Sequence, residues 1–157
     1  MTYEFSTRAI RAGQPNDETT GSVTFPIYQT STFEQIEPGV HKGFNYARTM
    51  HPTRQALEEN IASLEEAKFG VAYGSGMAAI NGVLTLLKAG DHVLVCRQLY
   101  GGAYRIFTKL YAKFGVQFTF ADTTQLVEIE KNITKATRLL WLETPSNPLL
   151  NITDLEM

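Results

Sequence analysis

Cysteine is almost missing: the 157 residues contain one, Cys96, so no disulfide can close within the chain. Set at the end of the apolar run His92 to Cys96, it reads as a small core residue. Long hydrophobic runs are missing too, and no uninterrupted apolar stretch approaches the roughly 20 residues a membrane-spanning helix needs. The start, Met1-Thr2-Tyr3-Glu4-Phe5, has no basic segment followed by an apolar one, so no secretory leader is expected and the cytoplasm is the expected compartment. Neither sign of charge dominates: 14 Lys and Arg against 16 Asp and Glu leave a net charge of −2, without a basic run. Nucleic acid and membrane surfaces are therefore not expected partners, and no metal site is expected. What remains, 43% hydrophobic and 19% charged, is the composition of an ordinary globular segment.

Sustained helical periodicity is absent from residues 1–52. Gly13-Gln14-Pro15-Asn16-Asp17, Thr19-Thr20-Gly21-Ser22 and Glu37-Pro38-Gly39 are turn formers with no long amphipathic segment between them. This stretch reads as an extended arm that must lie on another surface, of this chain or of a partner. Residues 53–157 are regular. A helix is expected from Thr53 to Glu65, with Leu57, Ile61 and Leu64 on one face. Strands then read near Phe69–Tyr73, His92–Cys96, Val116–Ala121 and Arg138–Glu143, and helices near Met77–Lys88, Ala103–Phe114 and Gln125–Ile133, with Ala89-Gly90 and Gly115 as stops. Strands alternating with helices imply an α/β fold with a parallel sheet and right-handed crossovers.

Ligands of such sheets bind beyond the carboxyl ends of the strands. The loops there read Gly74-Ser75-Gly76, Leu99-Tyr100-Gly101-Gly102, Asp122-Thr123-Thr124 and Glu143-Thr144-Pro145-Ser146-Asn147-Pro148. In the first, a strand runs through two glycines into a helix. Backbone N–H groups at a helix start lack intrahelical partners, and the positive end of the dipole favours an anion. Glycines at such a turn can equally serve the turn alone, and Gly-x-Gly-x-x-Ala also matches a dinucleotide fingerprint. That fingerprint calls for an acidic residue about twenty positions later, where this chain has Arg97 and Gln98. An aromatic residue, a carboxylate and an amide in the remaining loops suit a flat, polar, phosphorylated cofactor. Tyr46 and Arg48, two apart on an extended segment, point the same way and could grip phosphate oxygens, although alone they read as well as an exposed arginine beside a half-buried tyrosine.

Taken in order, Phe5-Ser6-Thr7-Arg8-Ala9-Ile10-Arg11-Ala12-Gly13, Pro26-Ile27-Tyr28-Gln29-Thr30-Ser31-Thr32-Phe33, Phe44-Asn45-Tyr46-Ala47-Arg48 before His51-Pro52-Thr53-Arg54, Gly74-Ser75-Gly76-Met77-Ala78-Ala79, Leu87-Lys88-Ala89-Gly90-Asp91, Leu99-Tyr100-Gly101-Gly102 and Glu143-Thr144-Pro145-Ser146-Asn147-Pro148 resemble the Cys/Met-metabolism family of pyridoxal-phosphate enzymes. The resemblance runs over essentially the whole chain. It implies a mostly parallel, doubly wound sheet of the type I (aspartate aminotransferase-like) fold, preceded by the N-terminal arm, with residues 53–157 as the first part of the large cofactor-binding domain. It implies pyridoxal 5'-phosphate as cofactor, with Ser75, Gly76 and Met77 at its phosphate, and Tyr46 and Arg48 reaching that phosphate from a neighbouring subunit. Tyr100 would stack on the ring and exchange a proton with the substrate amine. Asn147 would bond the ring-hydroxyl side, and Glu143 would sit just behind.

The implied activity is transsulfuration of a small sulfur amino acid by γ-elimination or γ-replacement, of the cystathionine γ-lyase or γ-synthase type, by dimers paired into a homotetramer. O-acetylhomoserine sulfhydrylase and methionine γ-lyase are the alternatives within the family. Gly102 stands where methionine γ-lyases carry cysteine, and Asn45 where cystathionine-handling members often carry an acidic residue. The family's cofactor-bonding lysine follows a Ser-x-Thr-Lys type motif that does not occur here. Lysines 42, 68, 88, 109, 113, 131 and 135 read as surface residues. The chain is therefore expected to be truncated and inactive alone, and a fragment that binds only cofactor phosphate or a partner subunit is a further alternative.

Overall fold

The computed structural model describes residues 3–156, so Met1, Thr2 and Met157, at the outer ends of the two expected segments, lie outside the described residues. The chain forms two compact units, Met1–Ala72 and Tyr73–Met157. No helix among the described residues is long and apolar enough to cross a membrane.

The first unit contains α1 (Phe5–Arg11), a short antiparallel hairpin of β1 (Gln35–Glu37) and β2 (Val40–His41) turning at Pro38-Gly39, and α2 (Pro52–Leu64). α2 starts with proline at its first position, where a missing N–H costs nothing. α1 was not expected from periodicity, because seven residues are fewer than two turns. A helix so short is marginal by itself, and here α2 holds it. Asn60, 8% exposed, donates through Nδ2 to the carbonyls of Arg8, Ala9 and Ala12 at 3.1, 3.3 and 2.9 Å. Arg8 Nη1 returns a bond to the Ser63 carbonyl at 2.6 Å. Next to it Gly13 has φ +69°, and a Cβ there would stand 2.6 Å from the Ala56 carbonyl oxygen, so only glycine permits this approach. The buried residues of α2 are accordingly Pro52, Ala56, Asn60 and Ala62. Leu57 and Ile61, expected on an apolar face, are 54% and 47% exposed.

The second unit is a three-stranded parallel sheet in the order β4 (Gln117–Ala121), β3 (His92–Cys96), β5 (Thr137–Trp141). Three helices accompany it: α3 (Gly76–Leu84), α4 (Gly101–Lys109) and α5 (Leu126–Asn132). The central strand β3 is buried throughout, and its alternation divides the core. Val93 and Val95 face Leu84 of α3 and Ala103 and Phe107 of α4. Leu94 faces Ala121 of β4 and Ile129 of α5 on the other side. Helices cover both faces, so the sheet is doubly wound. Phe107, fully buried, stacks on Phe118 (5.1 Å between centroids) and meets Trp141 edge-on at 5.2 Å. At the strand starts the buried His92 bridges both neighbours, with Nδ1 2.7 Å from Thr137 Oγ1 and Nε2 2.9 Å from Thr119 Oγ1.

Further sequence expectations need correction. The helix expected over 77–88 ends at Leu84, with Thr85 as its C-cap. Residues 69–73 form no strand: no strand of the described residues runs beside them, and the Ala72 N–H instead donates to Glu58 Oε1 at 2.9 Å. Phe69, Val71 and Tyr73 consequently stay exposed. The helix expected over 103–114 breaks after Lys109 and resumes as a 3-10 turn, Tyr111–Phe114, which ends at Gly115 with φ +84°.

Candidate active site

The carboxyl ends of β3, β4 and β5 open onto a cavity of about 120 Å³, lined by Cys96, Arg97, Asp122, Thr123, Glu143 and Ser146 among others. The start of α3 carries the Gly74-Ser75-Gly76 turn. Ser75 is the N-cap, and its Oγ accepts the Ala78 N–H at 3.1 Å, which leaves its hydroxyl hydrogen free to donate. The Gly76 and Met77 N–H groups bond no protein acceptor among the described residues. A Cβ at Gly74 or Gly76 would meet nothing within 4 Å, so the way to these donors is clear.

Tyr100 caps the start of α4 and is 47% exposed. Its N–H donates to Glu143 Oε2 at 2.7 Å, while Trp141 Nε1 donates to Glu143 Oε1 at 3.3 Å. The carboxylate thus ties the first turn of α4 to the end of β5, where the helix dipole also favours a negative charge. Burial pushes the Cys96 thiol above its ordinary range, and the Glu143 charge adds to this against a backbone bond from the same residue. The thiol donates to the Gln98 carbonyl at 3.2 Å and is a core residue. Hydrogen bonds from the Thr124 side chain and then its backbone N–H hold the Asp122 carboxyl below the usual carboxylate range.

The expected site residues fall into three groups. Ser75, Gly76, Met77, Tyr100 and Glu143 are linked through Tyr100, whose ring meets the Met77 thioether over Gly102. Asn147 lies exposed between Ser146 and Pro148, in a loop fixed by the Asn151 N–H bond to Ser146 Oγ at 3.0 Å. Tyr46 and Arg48 belong to the first unit. There Arg48 Nη2 donates to Tyr46 OH at 3.2 Å and its guanidinium carbon is 5.3 Å from the ring centroid. All seven lysines of the chain are exposed.

Sequence reading missed the supports of these groups. Arg54 on α2 donates to the carbonyls of Ala47 and Thr49, at 3.0 and 2.7 Å, and so fixes the chain on both sides of Arg48. Its place four residues before Glu58 was a readable helix pair. The bond from Trp141 to Glu143 left no such signal.

Fold and site together define an α/β protein with unbonded N–H donors at a helix start and an aromatic ring against the thioether of Met77, a set that fits a flat phosphorylated cofactor. The sequence pattern of the Cys/Met metabolism PLP-dependent enzymes matches residues 6–157, and the chain belongs to that family. Cystathionine γ-lyase of Bacillus subtilis is 47% identical over 151 residues, covering 96% of this chain and 40% of that protein. A probable cystathionine γ-synthase of Herpetosiphon aurantiacus is 47% identical over 152 residues, 97% of this chain and 48% of its own length. Cystathionine β-lyase of Coxiella burnetii is also 47% identical, over 95% of this chain and 39% of that protein. The crystal structure of metB from Corynebacterium glutamicum superposes with a TM-score of 0.94 at 43% identity, over 99% of this chain and 41% of that one. The chain thus spans 39–48% of the length of these relatives.

Proposed function

We propose that the chain is the cofactor-phosphate part of a pyridoxal-phosphate enzyme that cleaves or forms a carbon–sulfur bond of a small sulfur amino acid, by γ-elimination or γ-replacement. The observations that support this reading are the unbonded Gly76 and Met77 N–H groups at the start of α3 and the approach of the Tyr100 ring to the Met77 thioether. Relatives named cystathionine γ-lyase and γ-synthase support the reaction class. Gly76 and Met77 N–H groups and the Ser75 hydroxyl bind the phosphate; the Tyr46 phenol and Arg48 guanidinium reach it from a neighbouring subunit. Tyr100 covers the cofactor ring, with a contact worth about 0.5–1.5 kcal/mol beyond its area, and its phenol passes a proton to and from the substrate amine. The Asn147 amide orients the ring's hydroxyl side, and Glu143 fixes Tyr100. The cofactor supplies an electron sink for negative charge beside the amino group. The working unit is a homotetramer built from dimers, in the cytoplasm.

Replacing Tyr46→Phe together with Arg48→Ala tests the reading. Each hydrogen bond to the charged phosphate contributes about 1.5–3 kcal/mol, so with two lost pyridoxal-phosphate affinity should fall by about 150- to 25,000-fold in an equilibrium titration. Unchanged affinity would count against it.

A further inference from the structure

Leu150 is 70% exposed and has φ +54°, in the left-handed region that a leucine seldom adopts. Burial does not hold it there, so hydrogen bonds must. The Leu150 N–H donates to the Ser146 carbonyl at 2.8 Å, and the Ser146 N–H donates to the Asn151 carbonyl at 3.0 Å. The Asn151 N–H in turn donates to Ser146 Oγ at 3.0 Å. Ser146, itself 2% exposed, thus closes residues 146–151 into a loop through three bonds of its own.

A separate set of bonds fixes the base of this loop. Thr144 Oγ1 accepts the Thr153 N–H at 3.1 Å, and the Thr153 hydroxyl lies 2.8 Å from that of Thr123, just past the end of β4, with Thr123 and Thr153 both buried. The base is therefore bound to the sheet independently of the Ser146 hydroxyl. Asn147 is the first residue inside the loop and is exposed, so the course of the main chain sets where its amide points.

Resting on the function proposed above, we propose that Ser146 is a positioning residue for Asn147: by taking the Asn151 N–H, its buried hydroxyl oxygen closes the loop that presents the Asn147 amide to the ring-hydroxyl side of the cofactor. Without that oxygen the two main-chain bonds of the loop remain and the Asn151 N–H loses its acceptor. The loop then opens locally while its threonine base stays in place, so the fraction of molecules with Asn147 correctly aimed falls, and apparent affinity falls with it.

The test uses the full-length protein with Ser146→Ala, Asn151→Ala, Asn147→Ala and the Ser146→Ala/Asn147→Ala pair. Asn151→Ala is the control, because the loop uses only the main chain of that residue. Amide exchange of residues 146–151 is followed by mass spectrometry without cofactor. Affinity is titrated separately for pyridoxal phosphate and for its analogue with hydrogen in place of the ring hydroxyl. Ser146→Ala should speed exchange in the loop and weaken pyridoxal-phosphate binding about 2- to 12-fold, the range of one hydrogen bond, while the analogue binds as it does to the unaltered protein. Asn151→Ala should do none of these. In the Asn147→Ala background Ser146→Ala should have no further effect on affinity, since the amide through which it acts is gone. Loop exchange unchanged by Ser146→Ala overturns the proposal, as does a loop already unprotected in the unaltered protein. Equal losses for cofactor and analogue overturn it too, because they mark a purely structural role, and so does a loss that persists undiminished without the Asn147 amide. If the unaltered protein binds no pyridoxal phosphate, the function reading falls, and loop exchange alone then decides whether Ser146 holds the chain at Asn147.

Discussion

Glu143→Gln removes one charge while keeping size and shape. The carboxylate accepts the Tyr100 N–H at 2.7 Å, a short bond of the charge-assisted kind, and the Trp141 indole N–H at 3.3 Å, a long one. Bonds to a charged acceptor contribute about 1.5–3 kcal/mol and neutral ones about 0.5–1.5. Glutamine has one oxygen, which keeps the shorter bond in neutral form, a loss of about 1 kcal/mol. Its amide hydrogens then face the indole N–H, and that weaker bond is lost outright. Glu143 is partly exposed, so water recovers some of the difference, and the sum is about 1–2 kcal/mol. Followed by Trp141 fluorescence, urea unfolding should show a midpoint lowered by about 0.3–2 M for a slope of about 1–3 kcal/mol/M. Glu143→Ala strands both donors and should cost more. Midpoints unchanged in both variants would refute the idea that Glu143 joins α4 to the end of β5.

Asn60→Ala removes the donor shared by three carbonyls at the end of α1 and should cost about 1–3 kcal/mol, with hydrogen exchange of residues 8–12 accelerating while β3 amides keep their protection. Phe107→Ala empties the stack between Phe118 and Trp141 and should cost about 3–5 kcal/mol in the same urea assay. The Asp122 carboxyl has its folded-state pKa below its unfolded value, so the stability it adds is complete above the ordinary carboxylate range and disappears as pH falls through the lowered value. Unfolding measured from about pH 6 to about pH 3 should therefore fall less steeply in Asp122→Asn than in the unaltered protein.

What the sequence made legible followed from local pattern. The run from His92 to Cys96 between turn formers read as a buried strand and is the fully buried β3. Gly74-Ser75-Gly76 read as a helix entrance, and Ser75 caps α3. The failures came where tertiary contact decides. α1 forms because Asn60 collects its carbonyls from 48 to 52 residues away, which no window along the chain can register. Phe69–Tyr73 has strand alternation, but a ladder needs a neighbour, and among the described residues Glu58 takes its Ala72 N–H instead. Within the site the loop residues were readable as donors and rings. Their supports were not: the bond from the Trp141 indole to Glu143 and the Arg54 bonds that hold the chain on both sides of Arg48 depend on the folded chain. Leu57 and Ile61 illustrate the reverse error, since an apolar stripe marks a face suited to burial without saying what buries it.

The central claim is that the start of α3 holds a cofactor phosphate, and comparing pyridoxal phosphate with pyridoxal tests it most directly. Both are titrated into the full-length protein, with Trp141 fluorescence and visible absorption as readouts. Phosphate bound by the Gly76 and Met77 N–H groups and the Ser75 hydroxyl predicts saturable binding of pyridoxal phosphate and at least about 100-fold weaker binding of pyridoxal, the loss of two or more charge-assisted hydrogen bonds. Equal affinity for the two, or no binding of either, would contradict it.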